Sequence, residues 1–283
     1  MRDLILGASG FIGTKLTIGL MKHNRNLRLF DMRFNDTLLN LDKSDDRLEI
    51  ITGLFTSESD FLTLTEGIDT VYHLISTTIP STKKSFEDEL EENVITTIKL
   101  LNACVKNNIT KIVFISSGGT IYGKSEGVPH LETDETNPIC SYGIQKLTIE
   151  KYLYLYQYMY GLDYRIIRLA NPYGPGQNPN GGLGALTAFT YKIYNNEPIN
   201  IYGDGNVVRD YIYIDDAING IINISNYYGE DKLFNLGSGM GTSLNDIVNA
   251  IEKVQNKEST INYETSRKVD LPYSVLNVEK YKS

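Results

Sequence analysis

The fold is first indicated by the stretch Leu4-Ile-Leu-Gly7-Ala-Ser-Gly10-Phe-Ile-Gly13. Three glycines stand three residues apart, between an apolar run typical of a buried strand and a segment typical of a helix. The first permits a tight turn, the second lets the backbone approach a pyrophosphate, and the third lets the helix pack against the strand. A pyrophosphate would lie at the helix N-terminus, where free N–H groups and the helix dipole favour negative charge. We therefore expect a dinucleotide site at this loop.

Asp31 ends the next predicted strand, Leu27–Asp31. A carboxylate there accepts hydrogen bonds from the adenosine ribose and repels a 2′-phosphate, which favours NAD over NADP. Arg33 weakens this preference, because its guanidinium could receive such a phosphate. Asp31 could also be a simple turn residue.

Short apolar runs alternate with helical segments through the first 170 residues, which predicts an α/β fold with a doubly wound parallel sheet and a helix layer on each face. The predicted strands are Leu4–Leu6, Leu27–Asp31, Val71–Ile75, Lys111–Ser116 and Tyr164–Leu169, and the predicted helices are Phe11–Met21, Asn93–Lys106 and Tyr142–Tyr160. Tyrosines at every second position of Tyr152–Tyr160 superficially suggest a strand, but continuity with Ser141–Lys151 favours helix.

The second half of the chain has a different character. We expect residues 1–170, together with about 205–235, to form the dinucleotide-binding domain, and residues 171–204 and 236–283 to form a smaller α/β substrate lobe. That lobe is expected to hold the Gly/Pro/Asn-rich stretch Asn171–Gly184, helices at Ala185–Asn195 and Ser243–Gln255, and a strand at Ile199–Tyr202. The segment Tyr211–Ile224 could fold back onto the first domain.

Bulk composition excludes several classes of partner. The 283 residues carry a net charge of −8 and no basic cluster, which argues against nucleic acid. No run approaches the roughly 18 apolar residues of a membrane span, and the N-terminus already resembles a strand, so we expect neither a membrane partner nor a signal peptide. Two cysteines fit a reducing compartment, hence the cytoplasm. The three histidines lack metal-ligand spacing, so no metal is expected.

A second motif, Ser141-Tyr142-Gly-Ile-Gln-Lys146, places a tyrosine and a lysine four residues apart on one helix face. A phenol titrates near ~10 and is a poor base at neutral pH. A neighbouring ammonium, a cationic nicotinamide and the helix N-terminus would each lower its pKa. We predict that Tyr142 and Lys146 are catalytic and also contact the cofactor, with Lys146 holding the nicotinamide ribose.

Further motifs extend the pattern over nearly the whole chain, which resembles the extended short-chain dehydrogenase/reductase family and, within it, the nucleotide-sugar epimerases and dehydratases. Besides the glycine loop, Asp31 and the Tyr–Lys pair, the matching pieces are Val71–Ser76, Glu92-Asn93-Val, Ser116–Gly123, Arg168–Gln177, Gly203–Asp216 and Arg267-Lys-Val-Asp270-Leu-Pro. The resemblance implies a Rossmann-type domain with tightly bound NAD. The implied cofactor contacts are Gly7, Gly10, Phe11, Ile12, Gly13, Asp31, Leu54, Phe55, Leu74, Ile75, Ser76, Asn93, Ser116, Tyr142 and Lys146. The family often has an adenine-binding Asp where this chain has Leu54, so the backbone of Leu54 and Phe55 would have to serve.

In this family the tyrosine takes the proton of the sugar 4-hydroxyl while hydride passes to NAD, and the resulting 4-keto sugar rotates and is reduced on its other face. A Ser or Thr usually assists, but its position here is Gly118. Ser117 or Thr120 would have to supply the hydroxyl; we favour Thr120 for the sugar and Ser117 for the cofactor. The acidic pair of the 4,6-dehydratases is replaced by Gly119-Thr120, and the decarboxylases' glutamate is absent. Epimerisation or keto reduction remains.

The resemblance also implies a nucleotide-sugar substrate, a UDP-sugar, held by the second half of the chain. The implied contacts are Asn171, Asn200, Tyr202, Arg209, Arg267 and Asp270. The two arginines would bind the diphosphate, Asn171 the same region or the sugar, Asp270 a ribose hydroxyl, and Asn200 with Tyr202 the base. Arg209 could instead form an ion pair with Asp210 or Asp215.

Our first expectation is therefore an NAD-dependent UDP-hexose 4-epimerase. The alternatives are an NAD(P)H-dependent nucleotide-4-keto-sugar reductase and a non-catalytic dinucleotide-binding protein. Family members commonly dimerise through two helices per subunit, which implies a homodimer built on Asn93–Lys106 and Tyr142–Tyr160. Related chains usually continue with a short strand and a last helix, so we expect either a trimmed lobe or a C-terminally incomplete chain.

Overall fold

The computed structural model describes residues 1–41, 46–80, 82 and 84–282. Its strands are β1 Arg2–Leu6, β2 Asn26–Asp31, β3 Leu48–Thr52, β4 Thr70–His73, β5 Lys111–Ser117, β6 Asp163–Leu169, β7 Asn171–Tyr173, β8 Ile199–Tyr202, β9 Val208–Tyr213, β10 Leu233–Leu236, β11 Gly241–Ser243, β12 Ile261–Glu264 and β13 Tyr273–Ser274. Its α-helices are α1 Phe11–Lys22, α2 Asp36–Leu39, α3 Phe61–Thr65, α4 Phe86–Glu89, α5 Thr96–Lys106, α6 Ser141–Tyr160, α7 Ala185–Tyr194, α8 Ile214–Ser225, α9 Leu244–Gln255 and α10 Glu279–Lys282.

The central sheet is parallel and has the order β10-β6-β5-β4-β1-β2-β3. Its strands are continuous apolar runs because a helix layer covers each face, and Leu4, Ile5 and Leu6 are all fully buried. The predicted α/β fold with a doubly wound parallel sheet is confirmed. The strand order reverses between β1 and β4, and the carboxyl ends of the strands at such a switch point form a ligand-binding crevice.

The helices lie in two layers. On one face α1 packs against α8, and the two approach so closely that a Cβ on Gly19 would stand 3.0 Å from side-chain atoms of Ile218 and Ile222. On the other face α3, α5 and α6 surround a second core that includes Leu101, Ile112 and Leu153. The segment Tyr211–Ile224 was expected to fold back onto the first domain, and its helix α8 packs there.

The second half adds two small sheets and a separate core. Strand β9 pairs with β7, β11 and β13, while β8 pairs with β12. Helices α7 and α9 enclose a core that includes Phe189, Ile199 and Ile247. The predicted strand Ile199–Tyr202 is β8, whereas β7, β9 and β11–β13 were not predicted as strands.

Two predicted boundaries were wrong. The helix predicted to begin at Asn93 begins at Phe86, and its residues Leu90–Ile95 form a π-helical segment between α4 and α5. The strand predicted over Val71–Ile75 ends at His73, so Leu74 and Ile75 belong to the loop that follows β4. Both differences lie at the carboxyl edge of the sheet, where the candidate site lies.

Within the described residues, no helix combines the length and apolar character needed to cross a bilayer. The same part of the chain contains no cluster of three His, Cys, Asp or Glu side chains arranged to hold a metal ion. Cys104 and Cys140 are both free thiols.

Candidate active site

The glycine loop joins β1 to α1 as a tight, crowded turn. Gly7 has a φ of +85°, a conformation that favours glycine, and its N–H donates to the Phe30 carbonyl over 2.9 Å. A Cβ on Gly13 would stand 2.0 Å from the Gly7 carbonyl oxygen, so only glycine fits there. The N-cap of α1 is Gly10, which has no side chain to cap the first-turn N–H groups. This uncapped helix N-terminus fits a pyrophosphate.

Asp31 lies at the end of β2 beside this loop. Its carboxylate accepts the N–H of Ser9 over 2.9 Å and that of Met32 over 2.7 Å, so the side chain is fixed at the loop. Arg33 is exposed. Sequence reasoning missed Asn35, whose Nδ2 donates to the Ser9 carbonyl over 2.9 Å while its Oδ1 caps α2. An Asn directly before an acidic helix start was the available signal.

Leu54 and Phe55 follow β3 at the same edge. The Leu54 side chain is 62% exposed, and its carbonyl accepts the Ser59 hydroxyl over 2.6 Å. Phe55 packs edge-on against Phe61, with ring centroids 5.4 Å apart. An exposed apolar side chain therefore occupies the position where the family often has an acid.

Lys146 lies deep in the crevice between α6 and the sheet. It is 5% exposed, its Nζ donates to the Ile115 carbonyl over 2.9 Å, and it lies 4.7 Å from the Phe114 ring centroid. Burial lowers the pKa of Lys146 to about 8, and the Glu150 carboxylate partly opposes this shift. The Nζ also lies 5.7 Å from the centroid of the Tyr142 ring, so the predicted pair is brought together.

Tyr142 shares this crevice. Burial raises the pKa of its phenol to about 12, against the effect of a side-chain hydrogen bond with Ser117. The phenol is therefore protonated at neutral pH in this protein, and a bound cation beside it would be needed to favour the phenolate. The narrow cleft at this point is lined by Ile75, Ser76, Asn93, Tyr142, Gln145, Lys146 and Ile149. Five of these seven are residues that the sequence predicted.

The hydroxyl groups after β5 form a short chain. Thr120 donates to the Ser117 hydroxyl over 2.8 Å, and Ser117 in turn bonds to Tyr142. Ser116 is 3% exposed, and its hydroxyl donates to Glu150 over 2.6 Å. Glu150 needs that bond and its ion pair with Arg168 because both charges are buried.

Arg209 lies half-buried on β9. Its Nη1 donates to the carbonyls of Val208 over 2.9 Å and Leu271 over 2.6 Å, and burial lowers its pKa. It forms no ion pair with any residue that the structure describes. Asp210 instead accepts the N–H and hydroxyl of Ser238 over 2.8 and 2.7 Å. The ion pair of Arg209 with Asp210 or Asp215 is thus not formed, and the guanidinium keeps donors for a ligand.

The remaining predicted substrate residues lie near one another in the second half. Arg267 makes a two-pronged ion pair with Asp270 over 2.8 and 2.9 Å and lies over the Tyr202 ring, 4.3 Å from its centroid. Asn200, which is exposed two residues before Tyr202 on β8, accepts a bond from Asn262 over 3.2 Å. Asn171 begins β7, and its Nδ2 donates to the Asp210 carbonyl over 2.9 Å.

Comparison with known proteins gives a consistent family. The NAD dependent epimerase/dehydratase family matches residues 4–237. A UDP-glucose 4-epimerase of Mycolicibacterium smegmatis is 30% identical over 257 residues, covering 89% of this chain and 82% of that protein. A dTDP-4-dehydro-6-deoxyglucose reductase of Escherichia coli is 33% identical over 275 residues, covering 92% and 84%. The crystal structure of the Bacillus cereus UDP-glucuronic acid 4-epimerase with UDP-glucuronic acid and NAD superposes with a TM-score of 0.91 at 27% identity, covering 100% of this chain and 92% of that one.

Proposed function

Because this chain belongs to the NAD-dependent epimerase/dehydratase family, we propose that it is an NAD-dependent 4-epimerase of nucleotide sugars, acting on a UDP-hexose. The observation that carries this proposal is the joint placement of Tyr142, Lys146 and Ser117 at the carboxyl edge of the sheet, beside the glycine loop. A binding module has no need of a buried lysine against a phenol, whereas proton transfer at a sugar hydroxyl does.

Tyr142 is the acid/base of the reaction. The cofactor NAD supplies, when bound, reversible oxidation at C4 of the sugar. The Tyr142 oxygen, as the phenolate that a bound nicotinamide cation would favour, takes the proton of the 4-hydroxyl as the 4-keto sugar forms, and it returns that proton when the rotated sugar is reduced on its other face. The Lys146 ammonium and the Ser117 hydroxyl favour the phenolate during this step. Thr120 orients Ser117 through their hydrogen bond.

Other residues hold the two ligands. Gly7–Gly13 and the N-terminus of α1 would hold the pyrophosphate of NAD, and Asp31 its adenosine ribose. Lys146 binds the nicotinamide ribose, and the loop Leu74–Ser76 with Asn93 lines the same cleft. In the substrate lobe, Arg209 and Arg267 bind the diphosphate, since a guanidinium matches phosphate geometry.

A second candidate function is reduction of a nucleotide-4-keto sugar, and the Escherichia coli relative named as such a reductase favours it. The two activities differ in stoichiometry. Purified protein should be incubated with UDP-glucose, UDP-galactose and their N-acetyl and uronate relatives without added cofactor. An epimerase interconverts a pair under these conditions, whereas a reductase consumes one NAD(P)H per product. Failure to convert any nucleotide sugar in either assay would leave dinucleotide binding as the function.

We propose that the protein acts as a homodimer. Leu155, Tyr158 and Met159 on α6 are 44, 78 and 56% exposed, an unusual set of large apolar surfaces on one helix. Packing α5 and α6 against the same helices of a second copy would cover them in a four-helix bundle. Sedimentation of wild type and Tyr158→Glu tests this: the variant should be monomeric, and a monomeric wild type would contradict the proposal.

We also propose a division into two domains and a cellular location. Residues 1–170 with about 205–235 form the NAD-binding domain, supported by the pairing of β10 with β6 and the packing of α8 on α1, and residues 171–204 and 236–283 form the substrate lobe. The two free cysteines support a cytoplasmic location.

A further inference from the structure

A buried carboxylate lies behind the redox cleft without a role in the steps above. Glu89 ends α4, and its side chain is 2% exposed. It forms no ion pair with the residues that the structure describes. Its Oε2 accepts the amide Nε2 of Gln145 over 2.6 Å and also the hydroxyl of Ser141. Both donors belong to the first two turns of α6, the helix that carries Tyr142 and Lys146.

The N-terminus of helix α6 depends on a group from another element, because the helix supplies no stabilising group of its own. Its N-cap residue, Cys140, makes no side-chain hydrogen bond to the first turn, and that turn contains no acidic residue. A side-chain acceptor and a negative charge both stabilise a helix N-terminus. Glu89 supplies the negative charge from a neighbouring helix. It fixes the start of the 20-residue helix through hydrogen bonds from the Ser141 and Gln145 side chains, and not as a backbone cap.

The hydrogen bonds continue from Glu89 to the loop after β4 in one direction. The Thr77 N–H donates to Asn93 Oδ1 over 2.9 Å, Asn93 Nδ2 donates to Gln145 Oε1 over 2.8 Å, and Gln145 Nε2 donates to Glu89. We call Thr77, Asn93, Gln145 and Glu89 the amide relay. Because a carboxylate only accepts, Glu89 sets the orientation of both amides in the relay.

The backbone adapts to this arrangement. The π-helical segment Leu90–Ile95 separates Glu89 from α5, and within it Asn93 is 5% exposed and also donates to the Glu89 carbonyl over 3.1 Å. Single π-helical turns are rare and are frequent at functional sites. Asn93 and Gln145 both line the narrow cleft with Tyr142 and Lys146. The two amides of the relay therefore form part of the wall of that cleft.

We infer that Glu89 is a positioning residue, which acts through Gln145 and Asn93 to hold the start of α6 against the loop Leu74–Ile79 and so aligns Tyr142 and Lys146. This inference rests on the proposed function. Small displacements of reacting groups reduce the rate steeply, whereas binding of a substrate held mainly by the other lobe changes little.

The test is Glu89→Gln, which keeps the shape but replaces the charged acceptor of the Ser141 and Gln145 hydrogen bonds by a neutral amide and adds a buried NH2 donor beside it. We expect kcat to fall about 10- to 100-fold, with KM for the nucleotide sugar little changed. Backbone amides in the second turn of α6 should exchange hydrogen faster than in wild type; the N–H groups of the first turn lack helical partners in either protein. Glu87→Gln is the matched control, since Glu87 is exposed on the same helix and carries the same charge. It should match wild type in both measurements.

The exchanged pair Glu89→Gln with Gln145→Glu separates positioning from folding. It keeps the total charge and lets the new amide donate to the new carboxylate, so Asn93 can still donate to residue 145. We expect it to recover most of the lost kcat and the protection of α6. The inference is wrong if Glu89→Gln equals Glu87→Gln in kcat and exchange, or if the exchanged pair is no better than Glu89→Gln. An inactive wild type would contradict the proposed function alone, because hydrogen exchange still tests the relay.

Discussion

Gly118 and Leu276 pack so closely that a Cβ on Gly118 would stand 2.5 Å from Leu276 Cδ1. Leu276 is 1% exposed, and the Arg168 carbonyl closes the other side at 3.1 Å. The position where related proteins usually carry a Ser or Thr therefore has no room for a side chain in this protein. The hydroxyl that contacts Tyr142 comes instead from the preceding residue, Ser117.

The first prediction concerns that hydroxyl. Ser117→Ala should lower kcat about 100-fold, since a positioned proton-transfer partner contributes at least that much. Thr120→Val should have a smaller effect, because Thr120 bonds to Ser117 and not to the phenol. Steady-state kinetics of both variants decide the order. A larger loss in Thr120→Val would instead support Thr120 as the group that contacts the sugar.

The second prediction is that the hydroxyl cannot be moved to the neighbouring position. Gly118→Ser should reduce the free energy of unfolding by about 1–3 kcal/mol, the usual cost of overpacking a core. In a Leu276→Ala background the same Gly118→Ser substitution should cost less, because the shorter side chain leaves room. The comparison is made with Leu276→Ala alone, since truncating this buried leucine itself costs about 2–5 kcal/mol. Urea unfolding measures both. Full stability of Gly118→Ser alone would show that Leu276 yields without cost.

The sequence predicted features that are specified by residues close together in the chain. It missed features that depend on contacts between residues distant in the chain. The glycine loop, five of the seven strands of the parallel sheet and helix α6 were predicted because local spacing specifies them, whereas β3 and β10 were not predicted. The tyrosine tract Tyr152–Tyr160 is helical as continuity with Ser141 suggested. Leu276 blocks Gly118 from 158 positions away in the chain, and no local pattern contains that contact.

The same limit applies within the site. Asn93 was predicted, but its partner Gln145 and the carboxylate of Glu89 were not, because their hydrogen bonds join separate helices. The hydrogen bond of Ser116 with Glu150, a buried acid on α6, was likewise not predicted. Sequence thus identified residue types, while the choice among neighbouring hydroxyls and amides needed tertiary packing.

The third prediction tests cofactor choice at Asp31. Asp31→Ser should weaken NAD binding about 10-fold or more, because the ribose loses a charged acceptor. The variant should also discriminate less between NAD and NADP, because the exposed Arg33 can then contact a 2′-phosphate. Titration of both dinucleotides gives the two dissociation constants. Asp36→Ser, an exposed acid on α2, is the control and should leave both unchanged. Unchanged discrimination in Asp31→Ser would remove Asp31 from the ribose site.

The fourth prediction concerns the substrate diphosphate. Arg267→Ala should raise KM for the nucleotide sugar about 10- to 100-fold with little change in kcat, since the diphosphate is remote from the reacting carbon. Its ion pair with Asp270 is partly exposed, so the free energy of unfolding should stay within about 1 kcal/mol of wild type. Kinetics and unfolding are measured on the same preparation. A fall in kcat at constant KM would place Arg267 outside the diphosphate site.

The fifth prediction separates the role of Lys146 in activity from its effect on stability. Burial lowers its pKa from 10.5 to about 8, so between these values the unfolded chain holds a proton that the folded protein has released. The free energy of unfolding contributed by this group therefore rises as pH rises from about 8 to 10.5, and below 8 the full cost of burying the charge is present.

Lys146→Met should accordingly be inactive but more stable than wild type at pH 7, by on the order of 1–3 kcal/mol. This advantage should shrink steadily as the pH is raised through that range. The hydrogen bond from Lys146 to Ile115 is lost at every pH, so the slope with pH isolates the effect of burial. Lys151→Met, at an exposed position of α6, should show no such slope. A difference between Lys146→Met and wild type that stays constant with pH would mean that Lys146 keeps its ordinary pKa in the folded protein, and that the crevice does not hold a desolvated ammonium beside Tyr142.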